Sequence, residues 1–143
     1  MSEQSEKGYE FFEHTADTGL RAYGETLEEL FIHAAQGLIT LLVEDSSIAP
    51  KEVRPITLDA HSVEELLRLW LKELLFWFNT DRFLPGTYQL EEITGGALRA
   101  RLTGERFDAS RHMHGVEVKG VTYHEFRVTQ TADGWEASII FDI

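Results

Sequence analysis

Cysteine is absent from this 143-residue chain, which excludes disulfide bridges, thiolate metal sites and cysteine nucleophiles. Proline is scarce, with three residues, and no proline-, serine- or glycine-rich tract marks a linker. No apolar run approaches the roughly 20 residues that span a bilayer. Residues 1–10 are polar and charged where a secretory signal would need an apolar core, so a cytoplasmic protein with no membrane partner is expected. Basic side chains are also few: 13 Lys and Arg stand against 25 Asp and Glu, a formal charge of -12. Because neutralising phosphates with Lys and Arg supplies most nucleic-acid affinity, no direct binding of RNA or DNA is expected, and a basic or metal-loaded partner suits the chain better. The nucleophile elbow Gly-x-Ser-x-Gly, the phosphate-binding Walker loop, the dinucleotide fingerprint and His-Glu-x-x-His are all missing.

What the chain does contain is core material, 43% hydrophobic residues with nine Phe, four Tyr and three Trp, enough at this length for one domain. We read residues 1–8 as a flexible tail and 9–143 as that domain. Residues 9–13 and 19–24 read as short strands around a polar turn. Thr26 and Glu29 stand at capping-box spacing, and Leu27, Leu30, Phe31, Ala34, Ala35 and Leu38 then recur at helical intervals, which predicts a helix from 26 to about 43. Ile56, Leu58 and Ala60 alternate as in a half-buried strand. Ser62 and Glu65 repeat the capping box before a second helix whose apolar face runs from Val63 to Phe78. On it, Glu64, Glu65 and Glu73 beside Arg68 and Lys72 read as a solvated, charge-paired face. Trp70, Phe76, Trp77 and Phe78 exceed a narrow core stripe and Trp77 lies off it, so one aromatic is expected at the surface. Hairpin material follows: strands over 88–93 and 97–102 around Gly95-Gly96, an irregular loop over 105–115, and strands over 116–122, 123–129 and 135–143. The expected fold is α+β, a mainly antiparallel sheet with two helices packed on one face, in a single domain.

The last residues draw attention, because Ile139, Ile140 and Phe141 form an apolar strand that runs directly into Asp142 and Ile143. If that strand is held to its end, the Asp142 side chain and the Ile143 α-carboxylate are two anions in fixed geometry. Asp17 is the natural third ligand if the first strand pair neighbours the last strand. All-oxygen ligation favours calcium, magnesium or manganese. On the residues alone, the alternative is that Asp17 caps a turn and Asp142 is a solvated terminus. His14 shares the turn with Asp17 and could orient a ligand or close the turn. His112 and His114 flank Met113 in a segment that reads as a solvated loop, and His124 reads as a packed or edge histidine in a strand.

Four segments together carry a resemblance: His14-Thr15-Ala16-Asp17-Thr18-Gly19-Leu20, Ala22-Tyr23-Gly24-Glu25-Thr26-Leu27-Glu28-Glu29, Val118-Lys119-Gly120-Val121-Thr122-Tyr123-His124 and Ile140-Phe141-Asp142-Ile143. They resemble the archease family, and residues 66–75 are similar to that family's second helix. The resemblance implies an accessory protein, not an enzyme, that assists an RtcB-type RNA ligase by promoting its guanylylation and multiple turnover in tRNA splicing or RNA repair. It also implies a divalent-metal site at Asp17, Asp142 and Ile143, calcium first, with Lys119, Tyr123, His124 and His14 as supporting or partner-facing residues. Two other functions stay open from the sequence: a metal-dependent hydrolase in which His14 shuttles protons, and a chaperone-like module for RNA-modifying enzymes with a structural metal.

Overall fold

Both capping boxes form. Thr26 Oγ1 accepts the Glu29 N–H at 3.1 Å and opens helix α1 (Leu27–Leu42), and Ser62 Oγ accepts the Glu65 N–H at 3.1 Å and opens α2 (Val63–Asp81). The glutamates reach back in turn, Glu29 to the Glu25 N–H at 2.9 Å and Glu65 to the His61 N–H at 2.8 Å, which satisfies donors left over at each helix start. At its other end α2 closes on Arg82, whose φ of 65° is left-handed and whose N–H returns to the Phe78 carbonyl. The computed structural model describes residues 8–14, 17–44 and 47–143, with only the backbone of His14 among these. The tail expected over 1–8 therefore falls, but for Gly8, outside the described residues.

All strand pairing is antiparallel. One sheet runs in the order β1 (Tyr9–His14), β2 (Asp17–Gly24), β10 (Gly134–Asp142), β8 (Gly120–Val121), with β9 (Arg127–Thr131) also paired to β10. A second sheet places β6 (Ala97–Arg106) between β4 (Glu52–Asp59) and β5 (Phe83–Ile93), and β3 (Val43–Glu44) with β7 (Met113–His114) makes a two-residue bridge. The core lies between the helices and the sheets. Leu30, Phe31, Leu38, Leu66, Leu67, Trp70 and Leu74 from the helices meet Leu20, Ala22, Ile139 and Phe141 from the first sheet, all at 0% exposure. The Trp70 indole N–H donates to the Phe31 carbonyl at 2.9 Å, so the largest buried side chain carries no orphaned donor and ties α1 to α2. The two-helix α+β class is as expected, with the strands divided between two main sheets. No helix among the described residues is long and apolar enough to cross a membrane.

Several local expectations change. Trp77 is buried against Phe83, ring centroids 5.5 Å apart, and Phe76 is the exposed aromatic at 60%. β5 starts at Phe83, since Phe83 and Leu84 are buried and Pro85 sits at a register shift that needs no N–H from it. Of residues 116–126 only Gly120–Val121 is strand. Glu125 adopts a φ of 54° and the Phe126 N–H closes on the Tyr123 carbonyl at 3.2 Å, so Tyr123 and His124 stand in a turn, not in a strand. A turn at 132–133 leads into Gly134, whose φ of 142° and close approach to the Gly24 carbonyl leave no room for a side chain.

Candidate functional site

Strand β10 is held on both sides to its end. The Lys119 N–H donates to the Asp142 carbonyl at 2.6 Å and the Thr122 N–H to the Ile140 carbonyl at 3.0 Å, while an unbroken register with β2 covers the other edge. That register sets Asp142 opposite Asp17, Phe141 opposite Thr18, Ile140 opposite Gly19 and Ile139 opposite Leu20. With a side-chain period of two, burial of Leu20, Ile139 and Phe141 on the helix side sends Asp17, Gly19, Ile140 and Asp142 to the opposite face together.

On that face β1 contributes Phe12 opposite Gly19 and, by backbone register, His14 opposite Asp17. The Phe12 ring fills the space above Gly19, where a Cβ would overlap it, and Ile140 in the same cross-strand row is fully buried. Phe12 and Ile140 thus form an apolar wall beside the aspartates. The Arg21 guanidinium lies 4.7 Å from the Phe12 ring centroid on the far side. On the other flank Gly120 pairs with Asp142, and a Cβ there would meet nothing within 4 Å, so the aspartates have open space. Carboxylates directly opposite on an antiparallel pair hold their Cβ atoms about 4.5–5.5 Å apart and destabilise the pair unless compensated.

Among the described residues, no three His, Asp or Glu side chains gather as a metal-binding group. One of the three oxygen donors expected from the sequence is a main-chain one, on Ile143, which directly follows Asp142 and is 37% exposed. The side chain of His14, with Thr15 and Ala16, lies outside the described residues. Lys119 is exposed and meets Asp142 through its backbone. Tyr123 is 74% exposed under the Arg68 guanidinium, 3.4 Å from its ring centroid, and His124 Nε2 lies 2.9 Å from Glu125 Oε2.

The segment expected to be a solvated histidine loop is in part a buried polar cluster. His112 is 5% exposed, and its Nδ1 accepts the Asp108 N–H at 2.9 Å. Its Nε2 therefore carries the proton, facing Glu105 Oε2 at 3.0 Å and the Ser47 carbonyl at 3.1 Å. Glu105, 3% exposed, also accepts the Ala49 N–H at 2.6 Å and a hydrogen bond from Arg111, with Lys51 Nζ at 3.7 Å. Burial would raise the Glu105 carboxyl, but the Arg111 and Ala49 hydrogen bonds outweigh it and hold the group down at about 2. His114 stacks on Phe107 at 4.1 Å. No sequence signal marks Glu105, because an acidic residue at a strand end reads as solvent-facing.

Fold and surface define a class of small two-helix α+β proteins whose antiparallel sheet ends in paired carboxylates. A family model described as the archease protein family (MTH1598/TM1083) matches residues 9–143. The protein archease of Methanosarcina mazei is 36% identical over 141 residues, covering 96% of this chain and 97% of that one. The protein archease of Sulfurisphaera tokodaii is 33% identical over 136 residues, covering 94% and 98%. The chain belongs to the archease family. The solution structure of Methanobacterium thermoautotrophicum protein 1598 superposes with a TM-score of 0.80 at 33% identity, covering 96% of this chain and 99% of that one. A Thermotoga maritima archease, described as a possible chaperone, shares the fold with a TM-score of 0.68 at 20% identity over 92% of this chain and 94% of that one.

Proposed function

We propose that this protein is a cytoplasmic, non-catalytic accessory factor that activates an RtcB-type GTP-dependent RNA ligase in tRNA splicing or RNA repair, through a divalent-cation site at Asp17, Asp142 and Ile143. The observation that carries the reading is the register of β2 and β10, with Asp17 directly opposite Asp142 on one face. These residues suit a hard cation, since the donors are all oxygens and the Gly120 flank is open. Calcium is favoured, with magnesium and manganese as alternatives. When bound, the cation would offset the repulsion of the carboxylates and present positive charge to anionic groups of the ligase and its nucleotide.

The chain's own residues fix where that charge can stand. The Lys119 and Thr122 amides hold β10 to its end, the β2 ladder sets the spacing of the aspartates, and Phe12 with Ile140 keeps water from one side. Stimulation then requires that the protein bind the guanylylation-competent ligase better than the resting one, and about 1.4 kcal/mol of difference gives tenfold. The test is multiple-turnover ligation with catalytic amounts of cognate ligase, comparing the wild type, Asp17→Asn and a chain extended by one residue past Ile143. Both altered proteins should fold, lose stimulation, and lose the rise in melting temperature that calcium gives the wild type. Full stimulation by either would sink the metal-dependent reading. Stimulation retained by an Asp17→Asn protein that melts earlier would favour the chaperone-like role with a structural cation.

A further inference from the structure

The charge pairing expected along α2 does not form. On the second sheet the cations are matched: Arg54, Arg99, Arg101 and Arg106 each have a carboxylate oxygen within 3.7 Å. On α2, by contrast, Arg68 and Lys72 make no ion pair among the described residues, although Glu64 stands four residues before Arg68. Glu64 accepts the Val128 N–H at 3.1 Å, and Glu65 is used in the capping box. Arg68 lies instead over Tyr123, and its Nε, like Thr122 Oγ1 one residue before that tyrosine, is buried with no hydrogen-bond partner among the described residues. A guanidinium so placed has a donor waiting for an acceptor.

Spacings of four residues put Arg68, Lys72 and Phe76 on one line along α2. Phe76 is 60% exposed and Tyr123 74%, so two cations with no ion pair among the described residues lie between two exposed aromatic residues on a protein that is otherwise strongly acidic. The Tyr123 turn is closed by a 3.2 Å backbone hydrogen bond from the Phe126 N–H and carries Glu125 in a left-handed conformation that side chains seldom adopt.

We infer that this strip is a docking surface for a protein segment carrying a carboxylate next to an apolar side chain. The carboxylate takes the Arg68 guanidinium through the paired N–H geometry that suits it, supplying the acceptor Nε lacks, and Lys72 adds charge beside it. The apolar neighbour covers Phe76. Tyr123 is the lid that turns aside as the carboxylate enters. Charge decides for a protein segment over RNA, because a formal charge of -12 repels a polyanion far more than a single carboxylate, which Arg68 and Lys72 can meet locally. Testing this surface needs neither the cation nor the ligase of the functional proposal.

The experiment presents the full chain to an array of random dodecapeptides and, in parallel, to oligouridylate. Selected peptides should carry Asp or Glu beside an aromatic residue or Leu. Their affinity should fall about tenfold or more in Arg68→Gln and in Phe76→Ser, and be unchanged by added calcium. Melting curves verify that both variants fold, and Lys72→Glu provides a third substitution on a side chain already in solvent. Selection of no peptides, selection of basic peptides, or equal affinity for folded variants would each overturn the inference. Binding of oligouridylate in place of peptides would reassign the strip to RNA.

Discussion

Replacing Glu105 by Gln keeps the shape of a buried side chain and removes only its charge and half of its accepting capacity. In the native cluster Oε2 receives the Ala49 N–H and His112 Nε2–H, and Oε1 receives Arg111 with Lys51 nearby. Either orientation of the amide points its NH2 at donors. The cheaper one faces Arg111 and Lys51, which are 38% and 64% exposed and can turn to water. That orientation forfeits one charge-assisted hydrogen bond and makes the remaining two neutral, a loss of about 3 kcal/mol. For a chain of this size the melting temperature should fall by about 10 °C. The pH dependence gives a second, independent reading. A carboxyl held at about 2 against its ordinary 4.5 contributes stability that is fully present above 4.5 and is lost as pH falls through about 2. The difference between wild type and Glu105→Gln, measured by urea denaturation at a series of pH values, should be constant near neutrality and shrink as pH falls from 4.5 toward 2. A difference under about 1 kcal/mol at neutral pH, or one indifferent to acid, would refute the account of the cluster.

Two further substitutions probe the packing that supports the site. Trp70→Phe removes the indole N–H that reaches the Phe31 carbonyl and leaves a gap in a fully buried position, which should cost about 2–3 kcal/mol by urea denaturation. Gly19→Ala drives a methyl group into the Phe12 ring and should cost about 1–3 kcal/mol. Combining it with Phe12→Ala should then cost less than the sum of the two single changes, because the first has already displaced the ring; strict additivity would mean that Phe12 does not lie over Gly19.

Helix starts were legible because their signals are local. Thr26 with Glu29 and Ser62 with Glu65 sit in the sequence as they act in space, a few residues apart. Alternation likewise marks the strand over 56–60 that becomes β4, and short apolar or aromatic runs mark β1, β2 and β10. The meeting of Asp17 and Asp142 was foreseen only on the condition that β2 and β10 be neighbours, and nothing local encodes that pairing; the ladder supplies it. One exposed aromatic on α2 is found, Phe76; Trp77, off the main apolar face, is buried because Phe83 and Arg54 also cover that flank. The charge pairs expected on α2 fail for a similar reason. Glu64 and Arg68 are within reach along the helix, yet each is engaged by the chain around residues 123–128.

The features that sequence could not supply gather in one stretch, 105–128, and share a physical character. Apart from brief bridges, its backbone is tied to distant elements by contacts scattered along the chain: Glu105 on the Ala49 amide, Glu64 on the Val128 amide, Arg68 on Tyr123 and the Asp142 carbonyl on the Lys119 amide are among them. These contacts follow no repeating pattern, whereas the aspartate pair rests in a continuous ladder backed by Leu20, Ile139 and Phe141. The carboxylate pair is thus fixed by a regular ladder, and the segment beside it by irregular contacts. Neither half is written in local sequence pattern, because the first depends on strand neighbours far apart in the chain and the second on contacts that no periodicity describes.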